Sequence, residues 1–253
     1  MNEADLIIPL PPAAAPAPEA ARTNVTSTTA IRPLAVQPVA NSLGRRIITT
    51  LEVRLRDLIG RTTTAATDGH AYGVVEVGLL SRLRAGEPDP AIATRLARLM
   101  SDRQDSEASK IARGIADLLS RPDTPCRLLV STAEILTGLS EGTLRGPVRK
   151  GELHPQILKG RLYYDATELE HVLRRHYSGD PTVDGEERTL LLEPKCGADQ
   201  QAAARLNVCV RVLQMLIGAT LLQSIRVGTT TVLLRSDLER LAALSGAGRR
   251  SLG

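Results

Sequence analysis

Residues 127–177 read RLLVSTAEILTGLSEGTLRGPVRKGELHPQILKGRLYYDATELEHVLRRHY, and the order of signals in this stretch decides the fold class. Ser131 or Thr132 is placed to N-cap a short helix over Ala133 to Leu136, which Thr137-Gly138 ends in a tight turn. Ser140 caps a second helix in which Leu144 and Val148 face inward, and Gly151 stops it. Two apolar runs, Gln156 to Leu158 and Leu162 to Tyr164, flank Lys159-Gly160-Arg161, the pattern of a β-hairpin with a basic tip. Asp165 or Thr167 then caps an amphipathic helix carrying Leu169, Val172 and Leu173. Helix, turn, helix, hairpin and helix within about fifty residues make a unit whose second helix suits a major groove and whose hairpin suits the DNA backbone.

Downstream, residues 178–189 hold the acidic linker SGDPTVDGEE, and residues 190–246 repeat the plan in degenerate form at an offset of about 69 residues. Ala202, Leu213, Leu222, Leu238 and Glu239 fall on Ala133, Leu144, Leu153, Leu169 and Glu170. SIRVGTTTVLL reads as a second hairpin, and Ser236 as the cap of a last helix before the tail 247–253. The second helix of this copy is mostly apolar, with only Arg211 and Gln214 polar, a composition that suits a partner better than a groove. Its hairpin has Gly228-Thr229-Thr230 where the first has the basic tip, although Arg226 lies nearby.

Upstream, residues 1–42 are rich in Pro, Ala and Thr without apolar periodicity and read as a disordered arm. From 43 to 121 the pattern is helical. Ile47, Leu51, Leu55, Leu58 and Ile59 recur at three- and four-residue steps. TTTAATDGHAYG is a loop carrying His70, and Val74 to Leu83 forms a further helix. Asp89 and Pro90 open another helix as N-cap and first residue, with Ile92, Leu96 and Leu99 inside. Ile111, Ile115, Leu118 and Leu119 line a last one. The fold class expected is therefore mainly α with small β-hairpin wings: a helical N-terminal bundle plus two winged helix-turn-helix modules.

Composition limits the function. The chain has no Phe, no Trp and four Tyr, so neither an aromatic-lined ligand pocket nor a stacking platform for single strands is expected. The net charge is +4 and the pI about 9.2, and the positive charge lies outside the acidic linker. Cys126, Cys196 and Cys209 are too widely spaced for a zinc site or a disulfide framework, so they read as thiols of a reducing compartment. Neither a membrane span nor a signal peptide is expected. No Walker loop, GxGxxG or HExxH occurs. His171, Arg174 and Tyr177 have a spacing faintly like that of a tyrosine recombinase, but all three fall on one short helix; His154 beside Pro155 reads as a turn residue. No catalyst, metal or cofactor is expected.

The segments AEILTGLSEGTLR, RKGEL, KGRLYY and ATELEHVL, between Ala133 and Leu173, resemble the excisionase-type, MerR-related winged helix-turn-helix domains of bacteria, phages and plasmids. The resemblance covers about a fifth of the chain and implies binding of double-stranded DNA. It implies that Glu141, Thr143 and Arg145 face bases or phosphates, that Arg149 and Lys150 close on the backbone, and that Lys159 and Arg161 at the wing tip meet a phosphate or the minor groove. Arg211, Gln214 and Arg226 are the corresponding candidates of the second copy. Gly146-Pro147 departs from the pattern, because proline removes a donor and clashes with the preceding turn; the helix is expected to restart there or to kink. The function expected is that of a cytoplasmic, nucleoid-associated DNA-binding accessory or regulator, in transcription or in the maintenance of a mobile element. The alternative is an adaptor whose modules bind protein. A homodimer through the 43–121 helices or the second copy is the further partner expected.

Overall fold

The computed structural model describes residues 41–64, 74–84, 89–102, 105–121, 126–183 and 185–250. Nearly all of the expected arm, and the loop with His70, lie outside the described residues. Four helices come first: α1 (Asn41–Thr64), α2 (Val74–Arg84), α3 (Pro90–Asp102) and α4 (Ser106–Ser120). Of the periodic residues of α1, Ile47, Leu51, Leu55 and Ile59 are buried and Leu58 is half-buried. Asp89 accepts from the Ala91 amide at 2.7 Å, as its N-cap role requires, and Pro90 is the first residue of α3. Alanines at 93, 97, 108 and 112 let α3 and α4 approach closely, with Ile92, Leu96, Ile111 and Ile115 filling the gaps.

The 127–177 stretch gives β1 (Arg127–Leu129), α5 (Val130–Thr137), α6 (Glu141–Arg149), β2 (Gln156–Leu158), β3 (Arg161–Asp165) and α7 (Ala166–His176). The strands form an antiparallel sheet in the order β1-β3-β2, with Leu128 opposite Tyr164 and Ile157 opposite Leu162. The hairpin turns at Lys159 and Gly160, both at positive φ (48° and 73°), as the tight two-residue turn with matching twist demands. Gly138, also left-handed, ends α5.

Two local expectations are corrected and an open alternative is resolved. Neither Ser131 nor Thr132 caps α5: the helix starts at Val130 straight from β1, Leu129 is the cap residue without a side-chain bond, and Thr132 is buried against α4. Pro147 neither splits α6 nor restarts it. Ser140 caps the helix, which runs unbroken through a buried Pro147, so the ring serves as core. Of the two caps open for α7 it is Asp165 that acts, accepting from the Thr167 amide at 2.8 Å.

The linker is folded, with β4 (Thr182–Val183) and β5 (Glu186–Glu187) paired as an antiparallel hairpin. The second copy follows: β6 (Lys195–Gly197), α8 (Gln200–Leu206), α9 (Val210–Gly218), β7 (Ile225–Val227), β8 (Thr230–Leu234) and α10 (Arg235–Arg250). Its sheet order, β6-β8-β7, repeats that of the first. The left-handed residues Asn207, Thr220 and Gly228 stand where Gly138, Gly151 and Lys159 stand in the first copy. Leu213, Leu222 and Leu238 are buried as Leu144, Leu153 and Leu169 are. Ser236 lies in the first turn of α10 rather than before it, so it is not the cap expected.

The second sheet is buried on both faces. Cys196, Leu222 and Leu233 join Leu213 and Leu238 in a core of the second copy. Ile225, Val227, Val232 and Leu234 belong instead to the core that runs from α1 through the first copy. Two cations seal the junction. Arg54 donates to the carbonyls of Ile135 and Glu193, and the carbonyls of Leu136 (2.6 Å), Leu190, Leu191 and Glu193 crowd around Lys195 Nζ and share its protons. Together they satisfy carbonyls at the C-terminal end of α5 that the helix leaves open. Desolvation, and then the charge of Arg54, push the Lys195 amine well below the usual lysine range against the pull of Glu170 and Glu193.

Candidate nucleic-acid interface

Leu144 and Pro147 turn α6 toward the core, and that orientation decides which residues look outward. Gly142, Arg145, Arg149 and Lys150 are exposed and Gly146 is half-buried. The outer surface of α6 is therefore shallow at two glycines, with a basic C-terminal end. Glu141 and Arg145, four residues apart, pair with each other at 3.0 Å across solvent-exposed side chains. Thr143 is half-buried: its hydroxyl lies 3.0 Å from that of Ser140 and 3.0 Å from that of Thr230, the first residue of β8. The second copy's hairpin thus rests against the first turn of α6. On the first hairpin, Lys159 and Arg161 are exposed beside Ile157, which is 74% exposed.

Pairing separates these cations from several others in and around the two copies. Arg174 binds Glu170 (2.9 Å) and Glu187 (2.6 Å), Arg175 binds Glu152 (3.0 Å), Arg188 binds Asp237 (3.1 Å), and Arg205 binds Glu239. Arg121 pairs with Asp117 and stacks over the Tyr163 ring at 4.3 Å, while the Tyr163 hydroxyl donates to Asp117 at 3.0 Å. That cluster holds the first sheet against α4. Arg149, Lys150, Lys159 and Arg161, in contrast, have no ion-pair partner among the described residues.

In the second copy Arg211 and Gln214 are exposed on α9, and Arg226 is exposed on β7 across from Thr231. No hydrogen bond or ion pair among the described residues links them to the candidates of the first copy. Their surroundings are apolar: Val212 and Met215 of α9 and Leu221 just after it are 39%, 65% and 65% exposed.

His171 faces Arg175, Arg174 is held by two glutamates, and Tyr177 donates to Asp237 of α10, so the three do not converge on one site. The Tyr177 hydroxyl is pushed well above the usual tyrosine range by desolvation first and by its bond to the Asp237 carboxylate second. His154 is held by Glu168 through both its amide and its ring. The three cysteines are free, and no group of three or more His, Cys, Asp or Glu among the described residues is placed to hold a metal. No helix among the described residues is long and apolar enough to cross a membrane.

The sequence reading missed the seat of the second hairpin on α6. A signal for it was present, because Val232-Leu233-Leu234 is an unbroken apolar run, the mark of a strand covered on both faces. It also left out Arg98 and Arg113, exposed on α3 and α4, which no local motif distinguishes. Compared with family models, with curated proteins and with solved structures, the chain matches none of them.

Proposed function

We propose that the chain is a double-stranded DNA-binding protein in which residues 127–177 act as a winged helix-turn-helix, with α6 toward the major groove and the β2–β3 hairpin as the wing. The observation that carries this reading is the set of four exposed cations without an ion-pair partner among the described residues, Arg149 and Lys150 at the end of α6 and Lys159 and Arg161 on the hairpin, on the two elements that a winged helix-turn-helix turns toward DNA. Binding rests on phosphates more than on bases. Glycine at 142 and 146 offers no side chain to a base edge, Thr143 is engaged by Thr230, and Arg145 by Glu141. The role is that of an accessory or regulatory protein that holds DNA with modest sequence preference.

A second reading, adaptor rather than DNA binder, is favoured by one feature, the exposed Val212, Met215 and Leu221 on the second copy. Fluorescence anisotropy with a mixed-sequence duplex, between about 50 and 200 mM salt, separates the two. On the DNA reading affinity falls steeply with salt, and Lys159→Ala/Arg161→Ala flattens the log–log slope by roughly two. No binding at low salt would overturn it.

A further inference from the structure

A cleft of about 750 Å³ opens between α3, α4 and the first hairpin, and Arg161 of the hairpin is one of its walls. Arg98 and Arg113 face it from the two helices, with the hydroxyls of Thr94, Ser101 and Ser131 between them. Arg113 Nη2 donates to Ser101 Oγ at 3.2 Å, which leaves its remaining donors to an outside partner. Arg98 and Arg161 have no ion-pair partner among the described residues. Two carboxylates also line the cleft, but Asp117 is taken by Arg121 and Tyr163, so Asp102 alone opposes three guanidinium groups.

We infer that this cleft is a second phosphate track, which carries the DNA backbone from the wing onto the helical bundle. The inference rests on the DNA-binding reading and extends it to a part of the chain outside the resemblance. Three features point to a sugar-phosphate strand. Guanidinium and hydroxyl groups, donors that suit phosphate oxygens, line much of the cleft. No aromatic side chain among the described residues lines it, so none of them stacks a base there. Arg161 belongs to both the wing and the cleft, so a strand that passes the wing is continuous with it. The bundle then does more than support the module: it lengthens the footprint.

The test compares four proteins, wild type and three double variants, on a mixed-sequence duplex of about thirty base pairs across a salt series. Arg98→Ala/Arg113→Ala is expected to lower affinity about tenfold and to reduce the log–log salt slope by about two, near 0.9 per lost phosphate contact. Arg98→Lys/Arg113→Lys keeps the charges and is expected to keep the slope, which separates charge from folding. The double alanine variant binding with the wild-type slope, while Lys159→Ala/Arg161→Ala loses slope, overturns the track alone. Wild-type protein that binds no duplex at low salt overturns the DNA-binding reading and the track with it.

Discussion

The hydroxyls of Thr143 and Thr230 lie 3.0 Å apart, joining the second helix of one copy to the hairpin of the other across 87 residues of chain. Neither residue makes this bond by local geometry, so it reports the docking of the two copies. A double-mutant cycle on Thr143→Ala and Thr230→Ala is expected to give a coupling of about 0.5–1 kcal/mol in urea unfolding. In duplex binding, Thr143→Ala is expected to stay within about threefold of wild type, since each lost base contact of real value costs about 1–3 kcal/mol. A loss well above that places Thr143 on a base.

Gly114 of α4 meets Thr132 of α5 so closely that a Cβ at 114 would stand 2.5 Å from Thr132 Oγ1. Thr132 is buried and its hydroxyl has no hydrogen-bond partner among the described residues, so packing and not bonding holds it there. Gly114→Ala is expected to destabilise by about 1–3 kcal/mol. In a Thr132→Ala background the same substitution is expected to cost under about 1 kcal/mol, because the obstructing atoms are gone. Equal costs in both backgrounds would show that the clash is relieved by other means.

Tyr177, at the end of α7, donates to Asp237, which is 3% exposed and also held by Arg188 and Arg240. Tyr177→Phe is expected to cost about 1 kcal/mol near neutral pH. The folded tyrosine titrates above its value in the unfolded chain, about 10, so its stabilisation is present in full below that pH and declines as pH rises past it. The gap between wild type and variant in urea titrations should therefore hold up to about pH 10 and narrow as the pH rises above it. A constant gap over that range would count against the Asp237 bond.

The outer face of α9 keeps Val212 and Met215 in water, at 39% and 65% exposure. Sedimentation of wild-type protein is expected to show an average mass that rises with concentration, and Val212→Lys/Met215→Lys to remove the rise. Stability should change by less than about 0.5 kcal/mol, as for surface sites generally. A monomer at every concentration would leave this face without a self-association role.

Much of the local structure is legible in the chain itself. The four-residue spacing of Ile47, Leu51, Leu55 and Ile59 specifies α1. Asp89 and Ser140 specify helix starts, and Lys159-Gly160 a two-residue turn, through bonds and dihedrals that span a few residues. The repeat was legible for the same reason, as its apolar positions and turns recur at one offset. What the tertiary structure decided concerns surfaces that meet. Ile225 and Val227 have the alternation of any half-buried strand, and only docking shows that they complete the core of the other copy. Lys195 and Arg54 look like ordinary surface charges until α1, α5 and the turn before β6 close around the same carbonyls. Arg98, Arg113 and Arg161 become neighbours only when two helices and a hairpin share a cleft. Periodicity and caps are properties of a few consecutive residues, whereas which cations remain unpaired depends on every carboxylate the fold brings near them.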